Sequence, residues 1–204
     1  MPRIRAGSIA EHKLQTRTAL LDAAFRSFVS NGFAGTSLTD VASLAGVGRT
    51  TLYEYFPNKE ELFLALVEER VPPLLDAAVA ELPAGDPLER IEAAYRAAFE
   101  VLGHNVQLAL VLFHVGRELP AHVRDRMWRA LDPINLELAE QCKQGLAAGL
   151  LQADDPALLH QTIADLLVGA VDQVLAIGYS ENAAESILRA RLLFLRGGVR
   201  AQRL

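Results

Sequence analysis

Apolar positions along this chain recur at spacings of three and four residues, and almost nowhere alternate as a half-buried strand would. The pattern predicts a first helix over residues 14–30, with Leu20, Ala24 and Phe28 on one stripe, Leu21 and Phe25 beside it, and Asn31-Gly32 closing it. Ser37 reads as the cap of a short second helix, with Asp40 where a capping box has Glu or Gln. Val41, Ala42 and Leu44 are expected to face inward there, and Gly46 to supply the following turn. A third helix should open at Gly48 or Arg49, bury Leu52 and Phe56, and break at Pro57-Asn58. The fourth begins at Lys59, its apolar stripe carrying Leu62, Phe63, Leu66 and Val67.

Prolines and glycines divide the remainder. Pro72-Pro73 should kink or end the fourth helix. The segment Pro83-Ala84-Gly85-Asp86-Pro87 is a loop, with Asp86 and Pro87 making a good helix start. Helices are expected over 87–102, on to Gly116 after a break at Gly103-His104-Asn105, and from Pro120 to Gly149 with a bend at Pro133. Asp154-Asp155-Pro156 caps a strongly apolar helix to Gly178, and residues 181–196 form the last. The expected fold is all-α: an N-terminal three-helix domain over residues 1–59, and a larger helical domain over 60–204.

A hydrophobic fraction of 51% against 22% charged residues is enough for a packed core and argues against disorder. No apolar run approaches the roughly 20 residues that span a bilayer, so no membrane partner is expected. The basic start, MPRIRAGSIAEHK, lacks the apolar block of a secretory signal. One cysteine, Cys142, excludes an internal disulfide and a cysteine-rich zinc site, and a reduced, cytoplasmic setting is expected. The net charge of -5 divides unevenly: residues 1–59 carry seven basic and four acidic groups, the remainder thirteen and twenty-one. A positive head on an acidic body suits a polyanionic partner for the head alone.

The third helix carries the chemistry. It opens on Arg49, Thr50 and Thr51 and continues to Tyr53-Glu54-Tyr55-Phe56. One Arg and short polar side chains at a helix start, with tyrosines a turn later, suit insertion end-first into a DNA major groove. A helical enzyme is the competing class, but no nucleophile–base pair, metal motif or glycine-rich phosphate loop can be read. A helical scaffold is another, and it leaves Arg49 and the paired tyrosines without a purpose.

Residues 32–62 resemble the DNA-binding domain of the tetracycline-repressor (TetR) family. The matching residues are Gly32-Phe33, Thr36-Ser37-Leu38, Val41-Ala42, Ala45-Gly46-Val47, Thr51-Leu52-Tyr53, Tyr55-Phe56 and Lys59-Glu60-Glu61-Leu62, without a gap. The resemblance implies a helix-turn-helix domain followed by a helical ligand-binding and dimerisation domain. It implies that Thr39, Arg49 and Thr50 reach base edges, Arg49 best placed for the acceptors of a guanine. Thr36, Thr51, Tyr53, Tyr55 and Lys59 would hold phosphates, joined by the free N–H groups that begin the fourth helix. Two positions depart from the family pattern: Gly48 replaces a frequent Ser cap, and Thr50 stands where a smaller residue is common. The N-terminal arm reads first as a flexible tail, with Arg3 and Arg5 as candidates for a minor groove.

The resemblance also implies a dimer, a double-stranded DNA operator and an unidentified small-molecule effector, with no cofactor or metal. In the penultimate helix Leu158, Thr162, Asp165, Gly169, Asp172 and Ala176 form one stripe, and Ile163, Leu167, Ala170 and Val174 another. Apolar residues around most of a helix imply contacts on two sides. Ala183, Ile187, Ala190, Arg191 and Phe194 supply the partner helix of an expected two-fold, four-helix interface, a pattern that burial inside a monomer would also largely explain. For the effector, the candidates are Tyr95, Phe99, Leu102 and His104, facing Phe113, Trp128, Leu131, Asn135 and Leu167. The same aromatic spacing also describes plain core, and His104 with Asn105 can instead cap the chain near Gly103.

Overall fold

The computed structural model describes residues 6–198, and the arm residues Arg3 and Arg5 lie outside them. The described residues form ten α-helices and one 3-10 turn, arranged in two compact units. The first unit runs to Arg70 and takes in residues 110–127; the second comprises residues 71–109 and 128 onward. The head therefore extends past the expected boundary at Lys59 and is discontinuous in sequence.

In the first unit, α1 (Ala6–Gly35) is interrupted at Gly32, whose φ of 68° ends the regular turn where Asn31-Gly32 was expected to close the helix. Leu20, Ala24 and Phe28 are buried as its stripe requires. The helix α2 (Leu38–Leu44) is capped by Ser37, whose hydroxyl accepts from the Asp40 amide at 3.1 Å and donates to its carboxylate at 2.6 Å. Val41 and Ala42 are buried, but Leu44 is 54% exposed, contrary to expectation. Successive residues turn by about 100°. The inward face is therefore centred on Leu38, Val41 and Ala45, and Leu44 falls beyond its edge. Gly46, with φ 69°, makes the left-handed turn into α3 (Arg49–Tyr55).

The helix α4 (Lys59–Ala80) reaches into the head because Leu62, Phe63, Leu66 and Val67 are fully buried. Phe63 meets Phe28 and Phe33 edge-on, with ring centroids 5.7 and 6.0 Å away. Pro72 and Pro73 do not end α4. The carbonyls they leave without amide partners belong to Glu68 and Glu69, exposed residues whose backbone water can serve.

In the second unit, α5 (Pro87–His104) begins with the reciprocal capping box of Asp86 and Glu89. A break at Asn105 precedes α6 (Val106–Glu118), whose later residues belong to the first unit with α7 (Ala121–Trp128) to Met127. The single helix expected from Pro120 is divided by a 3-10 turn over Arg129–Leu131. Pro133 then stands in the first turn of α8 (Asp132–Ala147), where a missing N–H costs nothing, and bends no helix. Asp155 caps α9 (Pro156–Ile177), and α10 (Glu181–Gly198) follows the turn at Gly178. α5 packs on α8, α8 on α9, and α10 on α9 and α5. No single described helix is long and apolar enough to cross a membrane.

Candidate nucleic-acid interface and effector clefts

Seven residues make α3, and its two sides differ completely. Leu52 and the following Phe56 are 0% and 2% exposed, anchoring its underside. Arg49, Thr50, Tyr53 and Glu54 are exposed, and Thr51 and Tyr55 are half-buried. Nothing from a side chain caps the helix at Gly48, so its first N–H groups keep their hydrogen-bonding capacity. Arg49 folds back along the helix, its guanidinium 5.5 Å from the Tyr53 ring centroid and one nitrogen 3.4 Å from the Tyr53 hydroxyl. Thr39 is exposed on α2.

The two tyrosines part company, as alternate positions on a short helix must. Tyr53 is 42% exposed. Tyr55 lies across α1, donating to the Lys13 carbonyl at 3.3 Å, with the Phe56 ring 6.3 Å from its own. Arg17 of α1 covers that Phe56 ring at 5.0 Å and pairs with Glu69.

Thr36 and Lys59 are placed differently from the phosphate contacts that the resemblance implies. Thr36 is buried; its hydroxyl donates to the Gly32 carbonyl at 2.8 Å and meets Ser27 Oγ at 3.0 Å. Lys59 Nζ donates to three carbonyls, of Phe33 at 2.5 Å, Thr36 at 3.0 Å and Ala34 at 3.4 Å. All three of its protons are spent closing the end of α1. At the start of α4, Asn58 Oδ1 accepts from the Glu61 amide at 2.7 Å, occupying one of the groups expected to seat a phosphate. The helix-turn-helix needs its own carbonyls and amides satisfied, and these side chains satisfy them.

Sequence reasoning missed Arg126, because its partners lie about sixty residues away. From α7 it donates to Glu61 at 2.8 and 3.0 Å and to Glu68 at 2.6 and 3.0 Å. Those bonds, Glu68's first, hold its guanidinium more firmly protonated than usual.

The second unit does not gather the nine effector candidates into one cavity. Tyr95, Leu102 and Leu167 are core, and Tyr95 donates its buried hydroxyl to the Ile163 carbonyl on α9. Phe113 belongs to the first unit. Phe99 and His104 share an open cleft of about 360 Å³ with Arg96, Glu100, Tyr179 and Leu188. His104 also borders a larger cleft of about 500 Å³, walled by Leu74, Ala77, Ala78, Ala97 and Val101. Asn135 lines a third, of about 460 Å³, with Leu136, Ala139, His160 and Ala164. Trp128 and Leu131 are half-buried and line none of these three. His104 and Asn105 cap α5, bonding the carbonyls of Glu100 at 2.8 Å and Val101 at 2.9 Å.

The α9 stripes separate cleanly. Ile163, Leu167, Ala170 and Val174 are buried, while Leu158, Thr162, Asp165, Gly169 and Ala176 are exposed and Asp172 is half-buried. On α10, Leu193 and Phe194 are 63% and 62% exposed.

A short capped helix, a glycine turn and a second helix with an exposed polar tip make a helix-turn-helix. Comparison with known proteins specifies the kind. Residues 20–66 match the family model described as bacterial regulatory proteins, tetR family. The chain is 25% identical to the uncharacterised HTH-type transcriptional regulator YhgD of Bacillus subtilis (strain 168) over 161 residues, 78% of this chain and 83% of YhgD. It is 39% identical to the HTH-type transcriptional regulator RutR of Escherichia coli (strain K12) over 89 residues, 42% of this chain and 40% of RutR. The fold matches that of the regulator FadR from Bacillus subtilis, solved with stearoyl-CoA, at a TM-score of 0.76 and 21% identity, covering 90% of this chain and 99% of that one. Residues 20–66 thus form a DNA-binding domain of the tetR family of bacterial regulatory proteins, and the curated relatives named here are transcriptional regulators.

Proposed function

We propose that the protein is a dimeric repressor that binds a near-palindromic operator and leaves it when a small molecule binds the body. The exposed tip of α3 above a fully buried Leu52 and Phe56 carries this reading. Arg49, Thr50 and Thr39 read bases; Thr51 and Tyr53 hold phosphates, which fix register without reading sequence, while Tyr55 braces α3 against α1. Thr36 and Lys59 act one step back, keeping α1, α2 and α4 in place. The exposed Leu158 and Ile177 of α9 and Leu193 and Phe194 of α10 support a two-fold interface, since apolar groups on an outer face gain by being covered. Two recognition helices then meet successive major grooves roughly 34–36 Å apart.

For the effector, the clefts beside α5 support a ligand at Phe99 and His104, with Asn135 in a separate cleft as the next candidate. That FadR is solved with stearoyl-CoA supports small-molecule control of this fold, without naming the molecule here. Coupling of about 1–3 kcal/mol, a 5–150-fold change in DNA affinity, suffices for induction. The protein acts on DNA in the bacterial cytoplasm. Selection of bound genomic fragments by the purified protein tests the reading. One near-palindromic sequence should emerge, and enrichment of none, at low salt and high, would reject it.

A further inference from the structure

We infer that Arg126 is a positioning residue of the DNA-binding head: from α7 it sets the first two turns of α4, and through them the recognition helix. Glu61 and Glu68 are seven residues apart, so they share one face of α4, two turns from end to end. The guanidinium lies between them and makes four hydrogen bonds, two to each carboxylate. A planar fork of this kind fixes orientation as well as distance, which a lysine cannot do. On the opposite face Phe63 is fully buried against Phe28 and Phe33. The start of α4 is thus gripped from both sides.

The grip is useful only if α7 is itself fixed, and it is. Met127, next in sequence, is completely buried. Its Cε and Sδ occupy space at Gly116 of α6, where an added Cβ would come within 2.6 and 3.0 Å of them. The Met127 side chain thus fills the space that the missing side chain of Gly116 leaves. From Glu61 the route to α3 is short: Asn58 caps the same turn through the Glu61 amide, and Phe56 two residues earlier is locked in the core. Residues 110–127 join the same compact unit as α1 to α3, so the DNA-binding head includes a segment fifty residues beyond its motif.

This inference rests on sequence-specific DNA binding by α3, and the test separates the two. The full-length protein first selects a duplex from a random-sequence pool. Affinities for that duplex and for a random one are then compared with thermal midpoints. Arg126→Ala should weaken the selected duplex roughly tenfold, with the random duplex changed by less than about twofold. Arg126→Lys, which keeps the charge and loses the fork, should recover only part. Amide exchange in residues 49–56 and 59–68 should quicken in the free Arg126→Ala protein. If that variant folds poorly, the pair Glu61→Gln and Glu68→Gln, with Arg126 intact, should give the same selective loss. Equal binding by variant and wild type, or equal loss on both duplexes, would overturn the role of Arg126. Failure of the wild type to select any duplex would overturn the reading of α3 first, and this inference with it.

Discussion

The ammonium of Lys59 lies 4.5 Å from the ring centroid of Phe33 while donating to the Phe33 carbonyl, so it holds that residue by side chain and backbone together. The carbonyls of Ala34 and Thr36 take its other protons. A positive charge at the end of a helix also opposes the partial negative charge of its carbonyls. One side chain thus closes α1 and joins it to the first residue of α4.

Lys59→Met should therefore act on the fold before it acts on DNA. Charge-assisted bonds to partly buried carbonyls suggest a loss of about 1–3 kcal/mol. Urea unfolding would measure it, and affinity for selected and random duplexes should fall together. A variant as stable as wild type, with weaker binding at lower salt dependence, would restore Lys59 to the phosphate contacts.

Arg49→Ala should behave in the opposite way. Its side chain is exposed and rests on Tyr53, so stability should change by less than about 0.5 kcal/mol. Operator affinity should fall by about 1–3 kcal/mol, the worth of one bidentate base contact. The preference at one base pair should relax while random DNA binds nearly as before. A competition titration against single-base operator variants would show which position is lost.

The sequence carried the local features well because each is decided by a few neighbouring atoms. Ser37, Asp86 and Asp155 cap the helices they were expected to cap. Leu52 and Phe56 are buried as their spacing requires. Long-range features were illegible for an equally physical reason. Nothing near Arg126 says that it will meet Glu61, and nothing near Lys59 says that its protons will be spent on α1. The aromatic face of α5 was ambiguous from the start, and Tyr95 resolves into core because α9 offers it a carbonyl. Pro133 misled by position alone: the 3-10 turn before it makes it a helix start.

Phe194→Glu, alone or with Leu193→Glu, should dissociate the proposed dimer. Both side chains are more than 60% exposed on the outer face of α10, and a carboxylate placed in a two-fold contact meets its own copy. Sedimentation at micromolar protein should show a monomer with unchanged helical content. Affinity for a full operator should drop at least about tenfold, because each head then binds alone. A variant that stays dimeric would move the interface off α10.

Alkaline pH should destabilise the body through Cys142. Its thiol is buried against the α5 core, and burial pushes its pKa from 9.0 up to about 11. Burial likewise raises the Tyr95 phenol well above 10.0, with a Cys142 thiolate opposing its ionisation further. Below pH 9 both groups keep their protons whether the chain is folded or not, so the full stability is present. Between 9 and 11 the unfolded chain releases the Cys142 proton and the folded chain does not, which favours unfolding as pH rises. The loss should total on the order of 2 kcal/mol by pH 11, on top of any loss from Tyr95. Cys142→Ala should start about 1 kcal/mol lower from lost packing, yet show a shallower decline over the same window. Urea midpoints at pH 8, 10 and 11 would decide it, and parallel declines in the two proteins would clear Cys142 of any part.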